Sequence, residues 1–174
     1  QRPPTPERVL PDDNYPIPLE EQYSLFVAST NGVKEEMELS RHEVGYCVSF
    51  LHISENYQNP KSNLSEYLAI GTGYICHEER MVRGRMAIYK GTLVQTGQED
   101  ENEIKLQELY NKVLQAPITN IVEVDGYVAA FVGSQLQMIM FINEQDIKVA
   151  SFLNGHFFSN QLLSMKNYLF YVDA

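Results

Sequence analysis

The sequence predicts an all-β protein made of antiparallel four-stranded blades of a partial β-propeller, preceded by a proline-rich tail. Three observations carry that prediction. Short apolar runs of strand length recur along the chain, separated by tight-turn residues and with almost no helical spacing between them. The runs group in fours, at 44–53, 67–75, 85–90 and 104–112, then at 118–124, 127–132, 136–142 and 147–153, before a final pair. Tyrosine (11) and phenylalanine (8) are plentiful and favour strands, while the absence of tryptophan removes the usual WD-repeat signature.

Taken in order, six of the eight prolines lie in residues 1–18, so residues 1–22 are expected to form an extended tail or linker. The propeller fragment is expected to span 23–174, about two blades plus edge strands. Tyr23–Ser29 and Val33–Leu39 flank Asn31-Gly32, whose type I′ turn needs positive φ at both central positions. Val44, Tyr46, Val48 and Phe50 alternate along the next strand. Residues 54–64 are polar, contain Asn59-Pro60 and read as a loop. Tyr67–Ile75 carries Gly71 and Gly73, which in a strand mark a bulge or a close backbone approach. Arg85–Tyr89 follows a charged turn, and Thr96–Glu103 reads as an acidic loop. Leu106, Leu109, Tyr110, Val113 and Leu114 have helical spacing, so the local pattern of Ile104–Gln115 predicts a short helix. Beyond it, Asp125-Gly126 joins Ile118–Val124 to Tyr127–Val132 as a hairpin, followed by strands at Leu136–Ile142 and Ile147–Leu153. Gln161–Met165 and Tyr168–Val172 close a last hairpin around Lys166-Asn167.

Composition narrows the function classes. The net charge is −10, with 23 acidic against 13 basic residues, which argues against a whole-surface grip on phosphates, leaves room for a local basic patch, and fits either solubility or docking onto basic partners. Cys47 and Cys76 are too few for a disulfide framework and sit in apolar runs, as buried thiols do. No apolar run reaches the ~18 residues of a membrane span, and no membrane association is expected. The sequon Asn63-Leu64-Ser65 is a match in form only, without a secretion signal.

Catalytic arrangements are not evident. Gly71-Thr72-Gly73 starts like a nucleotide-binding fingerprint, but Cys76 stands where the third glycine belongs and the run lies within a strand. His42, His52, His77 and His156 lack metal-ligand spacing, and adjacent Glu78-Glu79 point apart on an extended chain. No enzyme activity, cofactor or metal is therefore expected. Arg80, Arg83 and Arg85, with Lys90, form one basic cluster able to touch RNA phosphates or an acidic partner, and the three arginines are the candidate RNA-binding residues. The competing reading pairs these arginines with Glu78 and Glu79 as weak surface ion pairs. The acidic run Glu99–Glu103 reads as a solvated loop or a docking site for a basic partner.

A family resemblance rests on an ordered series of residues. Glu66-Tyr67-Leu68-Ala69-Ile70-Gly71-Thr72, then Glu78-Glu79, then Arg83-Gly84-Arg85-Met86-Ala87-Ile88-Tyr89 is similar to a stretch of the largest subunit of cleavage and polyadenylation specificity factor. Pro117-Ile118-Thr119, Asp125-Gly126-Tyr127, Gly133-Ser134-Gln135-Leu136 and Ser164-Met165-Lys166-Asn167-Tyr168 continue the series. The same superfamily holds the large subunit of the UV-damaged DNA-binding complex and a splicing-factor 3b component. The resemblance implies strands rather than a helix at 104–112. It also implies a nuclear scaffold of mRNA 3′-end formation, partnered by other specificity-factor subunits and meeting pre-mRNA mainly through the complex. The sister scaffolds imply the alternative, a ubiquitin-ligase adaptor or a splicing-factor component. An open set of blades leaves strand edges unpaired, so the chain alone is expected to be marginally stable or sticky unless those edges are covered.

Overall fold

A computed structural model describes residues 22–29, 32–54, 64–76, 80–95, 102–143, 146–155 and 159–173. The tail expected at 1–22 and the loops expected at 54–64 and 96–103 fall largely outside them. The described residues form twelve strands: β1 (Ser24–Ser29), β2 (Gly32–Glu38), β3 (Glu43–Ser54), β4 (Leu64–Cys76), β5 (Arg80–Gln95), β6 (Asn102–Leu114), β7 (Ile118–Val124), β8 (Tyr127–Val132), β9 (Gln135–Asn143), β10 (Asp146–Asn154), β11 (Ser159–Met165) and β12 (Tyr168–Asp173).

Each strand pairs antiparallel with its neighbour in sequence, giving two four-stranded sheets, β3-β4-β5-β6 and β7-β8-β9-β10, and two hairpins, β1-β2 and β11-β12. This is the all-β, bladed architecture the turn pattern predicts. The first strands of successive groups lie side by side: β7 packs against β3 on one side and β11 on the other. The sheets therefore stack face to face as blades do, with the first strand innermost.

Burial on both faces of each sheet follows from that stacking. Between the two sheets lies the main core, with Leu51, Ile53, Tyr67 and Ile88 meeting Ile118, Ile121, Val128 and Phe141. The far face of the first sheet buries Leu68, Ile70, Ala87 and Tyr89 beneath Leu25 and Met37 of the β1-β2 hairpin. The far face of the second buries Ala129, Phe131 and Leu136 beneath Leu162 and Leu169 of β11-β12. Phe131 also meets Tyr171 edge-on, centroids 5.5 Å apart.

The helix suggested by 104–115 is a strand, as the family resemblance implies. A bulge lies opposite Ile88 and Tyr89, whose partners are Tyr110 and Glu108, so Leu109 is the extra residue. The bulge switches faces: Leu106 packs with the β1-β2 side, whereas Leu109, Tyr110 and Leu114 pack with the main core. Two half-strands of opposite phase imitate a helical period. In Asp125-Gly126 both φ angles are positive, at 50° and 83°, as the I′ turn requires.

Two glycines set how closely the blades approach. A Cβ at Gly71 would lie 2.6 Å from Cys47 Sγ and 2.7 Å from the Ile118 carbonyl oxygen. One at Gly84 would strike the Thr72 carbonyl oxygen and lie 2.7 Å from both the Ala116 carbonyl oxygen and Pro117 Cα. The 115–117 connection thus passes directly over Gly84, and β7 over Gly71.

A buried polar network ties the same region together. The Glu43 side chain is fully buried and the Arg85 side chain is 12% exposed. Arg85 Nε donates to Glu43 Oε1 at 2.6 Å, and Thr72 Oγ1 donates to the same oxygen at 2.6 Å. The Ser40 amide donates to Glu43 Oε2 at 2.9 Å, and the Arg85 amide donates to Thr72 Oγ1 at 3.2 Å. Burial pushes the Glu43 carboxyl up, but the bonds from Arg85, Thr72 and Ser40 outweigh it and hold the group below its ordinary value of 4.5.

Replacing Gly84 by Ala forces rigid backbone apart and is expected to cost about 1–3 kcal/mol in urea unfolding. Gly45→Ala, which meets only Leu39 Cδ1 at 3.6 Å, is the near-neutral control. Glu43→Gln leaves the Arg85 charge buried without its counter-ion, an expected loss of about 3–5 kcal/mol at pH 7. Because the folded chain holds the Glu43 proton less tightly than the unfolded chain, the carboxylate's contribution is full above about pH 4.5 and is lost as pH falls through the folded value. Denaturation midpoints between pH 7 and pH 3 should therefore converge for wild type and Glu43→Gln at the acid end.

Candidate functional site

Of the basic cluster read from the sequence, the described side chains of Arg83, Arg85 and Lys90 have different surroundings. Arg83 is exposed on β5. Arg85, two residues on, is turned inward onto Glu43, a partner 42 positions away. Burial disfavours its charged form, but the Glu43 bond and charge prevail and raise its pKa. Lys90 lies seven residues beyond Arg83, roughly 23 Å along a strand, with Nζ 5.9 Å from the Tyr67 ring centroid. Arg80 opens β5, but its side chain lies outside the described residues, as do residues 77–79. Of the candidate RNA-binding residues, Arg83 presents its side chain to solvent, and Arg85 serves the fold.

What the fold does bring together is the inner strands of three consecutive blades. An open cavity of about 750 Å³ lies where β3, β7 and β11 run side by side, lined by Phe50, Glu123, Asp125, Leu163, Lys166 and Asn167 among others. The Asp125-Gly126 and Lys166-Asn167 turns stand at its rim, the latter with Lys166 at a φ of 57°. Innermost strands and their turns are where propellers line their channel. The wall combines an aromatic ring, two carboxylates and an ammonium group, a mixture suited to holding a polar protein segment.

Beside it, His52 bridges the two blades. Its amide donates to Glu123 Oε2 at 2.8 Å, its Nδ1 lies 3.6 Å from the same carboxylate, and its Nε2 lies 3.4 Å from Glu66 Oε1. These side chains are half exposed or more, apart from Glu123. The His52–Glu123 contact joins β3 to β7 across the two blades. Nothing in the spacing of His52, Glu66 and Glu123 announces this contact; only the stacking of β3 on β7 creates it.

Of the two thiols expected to be buried, Cys47 is partly buried, and the side chain of Cys76 lies outside the described residues. Cys47 Sγ faces the Ile118 carbonyl oxygen at 3.8 Å, and burial pushes its pKa up to about 12, so it is not a nucleophile at neutral pH. Among the described residues no group of three or more His, Cys, Asp or Glu is placed to hold a metal ion. No helix of the described residues is long and apolar enough to cross a membrane.

Comparison with known proteins agrees with this architecture. Residues 22–174 match the family model described as the CPSF A subunit region. The chain is 22% identical over 161 residues to the cleavage and polyadenylation specificity factor subunit 1 of Drosophila melanogaster, covering 92% of this chain and 11% of that protein. It is 25% identical over 167 residues to the probable cleavage and polyadenylation specificity factor subunit 1 of Caenorhabditis briggsae, covering 94% of this chain and again 11% of the relative. The chain thus spans about one ninth of the length of these relatives. Every described strand lies within the matched region, and the chain belongs to the CPSF A subunit region family.

Proposed function

We propose that the chain is a scaffold segment of the nuclear machinery that cleaves and polyadenylates mRNA 3′ ends. The observation that carries this is the family match over residues 22–174, the whole of the bladed structure, to a region of proteins named for that factor. The physical character of the molecule supports it. Two sheets lock face to face through a shared apolar core and through backbone contacts over Gly71 and Gly84. A body of that stiffness holds partners at fixed separations, which is what a scaffold contributes. The reading requires no covalent step. Partners are the other subunits of the specificity factor, and the inner-strand cavity with its rim of both charges is the surface offered to them.

The charge distribution favours protein partners over direct RNA binding. With a net charge of −10 and Arg85 internally paired, few cations remain to neutralise phosphates. Pre-mRNA is met mainly through the assembled complex.

Affinity capture of the tagged chain from nuclear extract, with and without ribonuclease, tests both points. Specificity-factor subunits are expected among the captured proteins, with recovery unchanged by ribonuclease. Recovery of ubiquitin-ligase or splicing-factor subunits in their place contradicts the assignment. Loss of the specificity-factor subunits on ribonuclease treatment contradicts the protein-docking mechanism.

A further inference from the structure

An asparagine followed by glycine carries its own chemistry. The backbone nitrogen of the second residue can attack the side-chain carbonyl carbon of the first, and glycine, which has no Cβ, leaves that approach open. The nitrogen gives up its proton and bonds to Cγ. The Cγ–Nδ2 bond breaks, ammonia leaves, and a five-membered succinimide remains. Water then opens the ring at either carbonyl, giving aspartate or isoaspartate. One water is consumed, one ammonia is released and no oxidation state changes. Among the described asparagines, Asn154 alone precedes glycine. Asn111 precedes Lys112, Asn120 precedes Ile121 and Asn167 precedes Tyr168, whose side chains crowd the same approach.

The second sheet holds the two reacting groups of Asn154-Gly155 apart. Asn154 ends β10 directly opposite Gln135, which begins β9. Gln135 Nε2 donates to Asn154 Oδ1 at 2.6 Å, and Gln137 Nε2 donates in turn to Gln135 Oε1. The asparagine amide is thus the end of a chain of three side-chain amides laid across β9 and β10. The Gly155 amide donates to the Ser134 carbonyl oxygen at 3.3 Å. The electrophilic carbon is drawn toward β9, and the nucleophilic nitrogen is engaged by the turn before it. Both bonds have to break before the nitrogen can reach Cγ. Both guards come from the start of β9 and the residue preceding it, so they exist only while β9 and β10 are paired.

We propose that Asn154 is a latent modification site, closed to succinimide formation while β10 is paired and opened when that strand peels from the sheet. Among the described residues β10 pairs on one side only, with β9, and all of its residues but Ile147 are exposed. It is therefore the strand of this sheet with the least to hold it, and local opening starts where buried contacts are fewest. Conversion adds one negative charge. Isoaspartate also adds a carbon to the main chain between residues 154 and 155, which moves the Gly155 amide off Ser134 and spoils the register at Gln135. A chain whose second sheet has opened is thereby marked covalently, and the mark keeps the strand end from closing again as before.

Incubation of the 174-residue chain in mildly alkaline buffer, with peptide mapping by mass spectrometry to follow amide loss and isoaspartate at position 154, tests this. A synthetic peptide of residues 150–158 is the reference, and both are followed with and without urea. One neutral hydrogen bond shifts an opening equilibrium by about fivefold. With two guards, the folded chain is expected to lose the Asn154 amide roughly 25-fold more slowly than the peptide. In urea the two rates are expected to coincide, and Asn111 is expected to keep its amide throughout. Gln135→Met preserves the side-chain length and removes the donor. Its expected effect is a loss of amide about fivefold faster than wild type in the folded state, with no difference in urea. Circular dichroism verifies that the variant keeps its strands; if it does not, the wild-type comparison with the peptide decides alone. A folded wild-type chain that deamidates at the peptide's rate overturns the proposal. So does a folded Gln135→Met chain that deamidates no faster than wild type.

Discussion

The close approach of the second blade to the first, over Gly71 and Gly84, is the constraint on which the rest of the structure depends. β7 and the 115–117 connection lie against backbone that carries no Cβ, and this lets Ile118 enter between the sheets. Ile118 and Ile121 of β7, with Val128 of β8, then fill the space against Leu51, Ile53 and Ile88. Widening that gap by one methyl group would weaken the packing of every residue in the layer, since interiors are as dense as organic crystals. The Glu43–Thr72–Arg85 network lies at the same place. Glu43 heads β3, Thr72 follows Gly71, and Arg85 follows Gly84, so the network fixes the three strands that make room for β7.

Stacking of this kind makes each sheet apolar on both faces, and that has consequences for function. A sheet whose two faces are both built for burial has to be covered on both sides, and a terminal half-blade covers only half of its neighbour. The exposure of Phe50 at one end and of Phe170 at the other follows directly from this geometry. The same geometry aligns the inner strands so that turns from different blades converge on one cavity, a surface that no single hairpin could form. Rigidity and exposed faces therefore share one cause.

Much of the fold was legible in the sequence because turn chemistry is local. Asp125-Gly126 requires positive φ and declares its hairpin, and the strands from Ile118 to Asn154 lie within a residue or so of their expected limits. In the first sheet the apolar runs were too short a guide. β5 extends from Arg80 to Gln95 because ladder pairing carries polar residues, with Thr92 opposite Lys105 and Gln95 opposite Asn102. The segment at 104–115 misled local periodicity because a bulge at Leu109 splits its apolar residues between two faces. The site was less legible still. Arg85 belongs with Glu43, and His52 with Glu123, across separations of 42 and 71 residues that only blade stacking brings together. Family resemblance supplied the strand at 104–112 where spacing could not.

The central claim is that the two blades form one cooperative unit through their shared core, and native-state hydrogen exchange tests it most directly. Amides of β4 and of β8, one from each sheet, should open with the same free energy and the same denaturant dependence. Gly84→Ala, a change confined to the first sheet, should then lower protection in both strands equally. If β8 keeps its protection while β4 loses it, the sheets fold independently, and the close packing over Gly71 and Gly84 does not organise the molecule.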